Sequence, residues 1–161
     1  MTDMDRDQLL TAARSAIAAA PDANAALQQA VRLLKDGVPY YSWVGIYLLD
    51  GNELVLGPYL GKPSPHTRIP LGRGICGAAA AEKQTIVVDD VKTDRRYLAC
   101  SLDTRSEIVV PIMAGTEVLG EIDIDSDLRG AFGRKDCALL EPIAALLAER
   151  LSERQPEMGA S

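Results

Sequence analysis

The chain has 161 residues, enough for one domain and short for two. Folding at that length buries about 70% of the surface an unfolded chain exposes, so a core can form without disulfide staples. Hydrophobic residues make up 47% and charged residues 25%, a balance that excludes disordered and fibrous classes. The net charge of −6 repels phosphate backbones and anionic bilayers, so neither nucleic acid nor a membrane is the expected partner.

No run approaches the roughly 20 apolar residues of a membrane span. The opening "MTDMDRDQLL" is acidic and lacks the basic-then-apolar plan of a signal peptide. A cytoplasmic location is therefore expected. In that reducing compartment a permanent disulfide is rare, and cysteine pairing should be transient and functional.

Residues 5–19 and 22–36 both read as helices. In the second, Asp22 can cap the N-terminus, Leu27, Val31 and Leu34 share a face, and Gly37 supplies a stop. "SWVGIYLLD", the turn "DGN" and "ELVLGPYL" together predict a β-hairpin. "HTRIPLGRGICG" carries Pro70, Gly72, Gly74 and Gly77 and reads as a turn-rich loop entering an Ala-rich helix at 76–82. "TIVVDD" predicts a strand and "VKTDRRYLACSLDTR" a long polar loop. "SEIVVPIMAG" and "EVLGEIDIDS" predict a strand pair around Gly115, and "RKDCALLEPIAALLAERL" a terminal helix over about 134–151. The tail, 154–161, has too little apolar content to fold and is expected to be disordered. Helices, then an antiparallel-looking sheet with a loop-rich middle, then a helix: the order says α+β.

Three patterns could carry chemistry. In "GEIDIDS" strand alternation puts Glu121, Asp123 and Asp125 on one face and Ile122 and Ile124 on the other. The acidic face is either solvated or a carboxylate wall lining a pocket. In the second case, crowding would keep one carboxyl protonated near neutral pH. In "SWVGIY" Trp43, Gly45 and Tyr47 point the same way. They are either ordinary sheet aromatics or a wall for a methyl, thioether or cationic head.

The cysteines are the third pattern. Cys137 sits beside Leu139 and Leu140 in an amphipathic helix and reads as packing. Cys76 lies at a helix start, where free N–H groups and the macrodipole would stabilise a thiolate. Cys100 lies in a loop with Arg95, Arg96 and Arg105 nearby in sequence. A redox pair of Cys76 and Cys100 and two unrelated thiols both remain open. A metal site is not expected, because three cysteines and one histidine at these separations lack paired zinc-type spacing. His66, the single histidine, is either an acid–base group near the site or a loop residue making local hydrogen bonds.

Taken in order, "SWVGIY", "LGPYLGK", "TRIPLGRGICG", "IVVDDV", "YLACSLDTRSEIVVPI" and "GEIDIDS" resemble the free methionine-(R)-sulfoxide reductases, which are single GAF domains. The resemblance covers about residues 40–146. It implies an α+β fold: a central antiparallel sheet, helices packed on one face and a ligand pocket on the other. The whole of 1–153 would then form one domain, with N-terminal helices at about 5–36 and the sheet and pocket at about 40–126.

The resemblance also implies site residues. Cys100 falls on the family's nucleophile and Cys76 on a second pocket cysteine. His66 falls where these reductases usually carry the cysteine of the recycling disulfide. Glu107, Asp123 and Asp125 fall on the substrate-binding carboxylates, and Trp43 and Tyr47 on the aromatic wall. The implied activity is reduction of free L-methionine-(R)-sulfoxide with no bound cofactor, electrons coming from a thioredoxin-type dithiol and indirectly from NADPH. With His66 in place of a thiol, the resolving thiol would be Cys76 or an external one. The competing reading is a non-catalytic GAF module that senses a small amino-acid-like ligand. A homodimer through the Ala/Leu helix faces fits either reading.

Overall fold

The computed structural model describes residues 5–97 and 103–160, with side chains through residue 153. Two helices open the chain, α1 (Arg6–Ala19) and α2 (Ala23–Gly37). The second start is fixed by Asp22 as expected, and the first by Asp5, which caps the helix from outside it. The Asp5 carboxylate accepts from the Asp7 N–H at 2.8 Å and that of Asp22 from Ala25 N–H at 2.8 Å, satisfying backbone donors that have no intrahelical partner. A hairpin follows, β1 (Trp43–Asp50) and β2 (Glu53–Leu60), then β3 (Arg68–Pro70), α3 (Gly74–Glu82) and β4 (Ile86–Val88). A single 3-10 turn at Val91–Thr93 leads on to β5 (Ser106–Ala114), β6 (Glu117–Ser126) and α4 (Arg134–Ala160).

The six strands form one sheet in the order β3-β2-β1-β6-β5-β4, and each neighbouring pair is antiparallel. Alternation divides the sheet into two chemistries. Val44 and Ile46, Ile122 and Ile124, and Ile108, Val110 and Ile112 pack with the buried faces of α1, α2 and α4 in one apolar core. The opposite face carries a second cluster, including Trp43, Tyr47, Val109, Ile69 and the residues of α3. Three helices thus seal one side, and the short α3 covers the other.

Three expectations need correction. Arg68–Pro70 is a strand rather than loop. It is an edge strand, where a proline costs no ladder hydrogen bond. Helix α3 begins at Gly74 instead of 76, with Gly74 at φ +68°, a conformation glycine adopts freely. And α4 runs to Ala160, beyond the expected end at 151 and through most of the tail expected to be disordered. Once its first turns are docked on the sheet, extending a helix is far easier than starting one.

One polar hub ties the two ends of the domain together. Asp136, fully buried, accepts hydrogen bonds from the Tyr41 hydroxyl, from the Tyr40 hydroxyl at 3.3 Å and from the Gly133 N–H at 2.8 Å. Arg6 lies 3.6 Å away and donates to the Tyr40 hydroxyl. The first turn of α4 is thereby joined to α1 and to the chain entering β1. Asp136→Ala should cost about 3 kcal/mol in a urea unfolding experiment, because it takes the acceptor from the buried Tyr41 hydroxyl and the counter-charge from the half-buried Arg6 guanidinium.

Candidate functional site

The cross-strand register assembles the site in rows. On the face away from the large core, Trp43 of β1 pairs with Asp125 of β6, which pairs with Glu107 of β5. The next row is Gly45, Asp123 and Val109, and the third is Tyr47, Glu121 and Pro111. Four carboxyls and two aromatic rings therefore share one patch of sheet. They are not a solvated face. Glu107 is 4% exposed, Glu121 0%, Asp123 2% and Asp125 3%.

The aromatic side is set by two glycines. The Trp43 ring lies so close over Gly45 that a Cβ there would sit 2.3 Å from Cη2. At Gly61, where φ is +131°, a Cβ would sit 2.6 Å from Cδ1. The ring stacks on Tyr59 at 5.5 Å between centroids, and its Nε1 donates to the Lys62 carbonyl at 2.9 Å. Tyr47, 1% exposed, donates its hydroxyl to the His66 carbonyl at 2.8 Å.

Helix α3 closes the patch from above and delivers Cys76. Gly77 allows this: a Cβ there would lie 2.7 Å from the Pro70 carbonyl, so the helix runs tight against the β3 turn. Cys76 is 5% exposed. Its Sγ, a Glu107 oxygen and an Asp123 oxygen all lie within 4.8 Å of one another.

Burial dominates the protonation of this cluster. It raises Glu121 and Asp125 well above the ordinary carboxylate range and raises Asp123 as well. Charge on Asp123 pushes Glu121 and Asp125 further up, while hydrogen bonding with Glu107 draws Asp123 and Asp125 back. Cys76 is also raised well above its usual value, first by burial and then by Asp123, Glu121 and Glu107. That overturns the expectation of a helix-stabilised thiolate. Half a unit of dipole charge at a helix start is outweighed by a dry environment and three acids.

Among the described residues, two spaces open at the site. An outer cleft of about 80 Å³ is lined by Ser42, Trp43, Lys62, Thr104, Asp125 and Asp127. An inner void of about 10 Å³, the size of a single water, lies among Tyr47, His66, Cys76, Glu107 and Asp123. An acid wall with an aromatic lid suits a cationic head, and carboxyls held protonated can donate to an oxygen.

A family model described as the GAF domain matches residues 22–151. The chain belongs to the GAF family. The antiparallel sheet with helices is that fold, and the α+β expectation is met. The GAF domain is 38% identical over 128 residues to the free methionine-R-sulfoxide reductase of Escherichia coli, a match covering 80% of this chain and 77% of that protein. It also resembles the structure of free methionine-R-sulfoxide reductase from Neisseria meningitidis in complex with its substrate. That likeness has a TM-score of 0.88 and 38% identity, covering 94% of this chain and 91% of the other. A structure from Burkholderia vietnamiensis described as a GAF sensor protein is 36% identical, with a TM-score of 0.84 and coverage of 90% and 92%.

Of the residues singled out in sequence, the GAF domain brings together Trp43, Tyr47, Cys76, Glu107, Asp123 and Asp125, and His66 borders the inner void. Cys100 lies outside the described residues. Cys137 is half-buried against the large core, far in character from the acid cluster. Sequence reasoning placed Glu121 on the acidic face without a role, yet it is the most deeply buried of the four acids. Gly45→Ala should force Trp43 out of its seat. If that ring bounds the ligand, KM for the substrate proposed below rises about tenfold while kcat changes less, the split expected when an aromatic contact to the ligand is lost.

Proposed function

We propose that this GAF domain reduces free L-methionine-(R)-sulfoxide to methionine. The observation that carries the reading is the buried wall of Glu107, Asp123 and Asp125 facing Trp43, with the Cys76 thiol at its inner end. A small amino acid bearing an ammonium and a polar sulfur group matches each part of that surface. Its ammonium binds the carboxylates, its methyl meets the indole, and a protonated carboxyl donates to the sulfoxide oxygen, which makes sulfur electrophilic. The reductases of Escherichia coli and Neisseria meningitidis, similar along most of the chain, support the choice of substrate.

The chemistry assigned to Cys100 follows from the resemblance. Its sulfur attacks the sulfoxide sulfur, and the oxygen ends on cysteine as a sulfenic acid while methionine leaves. Cys76 then displaces hydroxide from that sulfenic acid. The proton from its thiol completes a water, and a Cys76–Cys100 disulfide remains for a thioredoxin-type dithiol to reduce. Because Cys76 is held protonated by its surroundings, this second step should be the slow one and should quicken as pH rises.

A sensor without turnover is the second reading. It is favoured by His66, which puts an imidazole where these reductases usually carry a recycling thiol. The two are separated by offering each sulfoxide epimer of free methionine with thioredoxin, its reductase and NADPH. The R epimer should drive NADPH oxidation, Cys100→Ser should abolish it, and Cys76→Ser should slow it. Ligand binding without NADPH oxidation, and without a 16-dalton gain at Cys100 (about one oxygen atom), would leave the sensor reading standing alone.

A further inference from the structure

The spacing of the three cysteines argued against a metal, but folding places together what the chain keeps apart. Cys76 comes from α3, Glu107 from β5 and Asp123 from β6, and one donor atom of each lies within 4.8 Å of the other two. Two further observations show that this corner is not self-sufficient. Asp123 Oδ1 is buried without a hydrogen-bond partner among the described residues. Neither oxygen of Glu121, two residues earlier on the same face and fully buried, has a hydrogen-bond partner of good geometry among the described residues. Buried carboxylate oxygens without donors are costly, and a cation is one remedy. The inner void, about 10 Å³ and lined by Cys76, Glu107 and Asp123, admits one atom-sized guest.

We propose that Cys76, Glu107 and Asp123 form a binding site for a divalent transition-metal ion of the zinc class. The donor set selects among metals. A thiolate with two carboxylates suits zinc or cobalt(II), whereas calcium requires six or more oxygens and magnesium keeps an octahedral shell of oxygen and water. Around a tetrahedral zinc, donor atoms sit about 3.5 Å apart, so from separations no greater than 4.8 Å closure needs at most about an ångström of side-chain movement. Three protein ligands leave the fourth position open, as in sites where solvent or a small ligand binds the ion. Binding exchanges protons for metal: the Cys76 S–H bond gives way to an S–metal bond, and the proton is released to solvent. No oxidation state changes.

A metal held here would claim the thiol and two of the carboxylates that the proposed reaction uses. Metal and sulfoxide would exclude one another, and the domain would be inhibited by the ion until a chelating or oxidising agent removed it. That consequence rests on the reading under Proposed function; the site itself does not.

The test is a cobalt(II) titration of the full chain, reduced and freed of metal, under argon. A single equivalent should produce the near-ultraviolet absorption of a cobalt–thiolate bond. Cys76→Ser should abolish that band, whereas Cys137→Ser and Cys100→Ser should retain it. Asp123→Asn, which keeps shape and volume, should weaken binding at least about tenfold, the usual loss when a metal site is damaged. Zinc should erase the cobalt band by displacement. The proposal fails if no band forms, if the band survives Cys76→Ser, or if it vanishes with Cys100→Ser. Circular dichroism confirms that each variant is folded. A separate arm adds free methionine-(R)-sulfoxide to the cobalt-loaded protein. Retention of the band there would count against the shared-site consequence and the substrate reading while leaving the metal site intact.

Discussion

Asp125→Asn should lower kcat/KM for free methionine-(R)-sulfoxide by about 100-fold, with no loss of thermal stability. The size follows from position. Asp125 borders the outer cleft beside Trp43, its strand partner, and is 3% exposed. A charged hydrogen bond to an ammonium in so dry a place contributes up to about 3 kcal/mol, and every 1.4 kcal/mol is tenfold in affinity or rate. The stability half of the result follows from burial, which raises Asp125 well above a normal carboxyl, with Asp123 and Asp127 adding to the effect. Its ionised form is a burden on the empty domain, so the isosteric amide removes a cost and keeps the shape. Steady-state kinetics and a thermal melt on the same preparation decide the matter. An equal collapse of folding would make this carboxyl structural, and retained activity would remove it from the ligand wall.

The second large effect concerns pH. Glu121→Gln should flatten the fall in stability from acid to alkaline pH, measured by thermal melts between about pH 4 and pH 9 with chelator present. In the folded chain the Glu121 carboxyl is raised well above its value in an unfolded chain, by burial first and by Asp123 second, with the Cys76 thiol pulling weakly the other way. A group raised on folding contributes its full stability below its unfolded value, about 4.3, and loses it as pH climbs through the folded value. Each unit of elevation is worth about 1.4 kcal/mol, or about 3 °C in a domain of this size. The two proteins should therefore melt together near pH 4 and diverge by about 3 °C or more on the alkaline side, the variant being the more stable. Among the described residues, the groups that face Glu121 are Cys76 from α3, Tyr47 from β1 and Asp123 on its own strand. Asp123 and Cys76 titrate with the same sign and remain in the variant, so the slope is reduced rather than removed. Parallel curves would mean that Glu121 finds solvent or a counter-ion in solution.

Much of this molecule is written in local pattern. The hairpin of β1 and β2 follows from alternation around "DGN", and the helix starts follow from Asp5 and Asp22. What alternation cannot supply is the identity of the medium on either side. "GEIDIDS" puts three acids on one face, and only the arrival of α3 over that face, fifty residues away in sequence, makes them a wall instead of a rim. The same distance hides the charge on Cys76, whose helix position argues for a thiolate while its neighbours from β5 and β6 argue more strongly against one. The Asp136 hub was invisible for a related reason. A lone aspartate near a helix start reads as a cap, and its other partners lie far off in the chain, Tyr40 and Tyr41 at 96 and 95 positions and Arg6 further still. The short strand β3 was masked by Pro70 and the glycines around it, which speak for a turn unless one knows that the strand lies at a rim.

Both rims of the sheet, β3 and β4, are only three residues long, and one of them ends in a proline. A stray chain seeking to extend the ladder finds almost no template at either side, since so few backbone groups are on offer and Pro70 has no N–H to give. A domain whose pocket loads four acids onto one surface of its sheet is thereby spared a second hazard, that of polymerising through its borders.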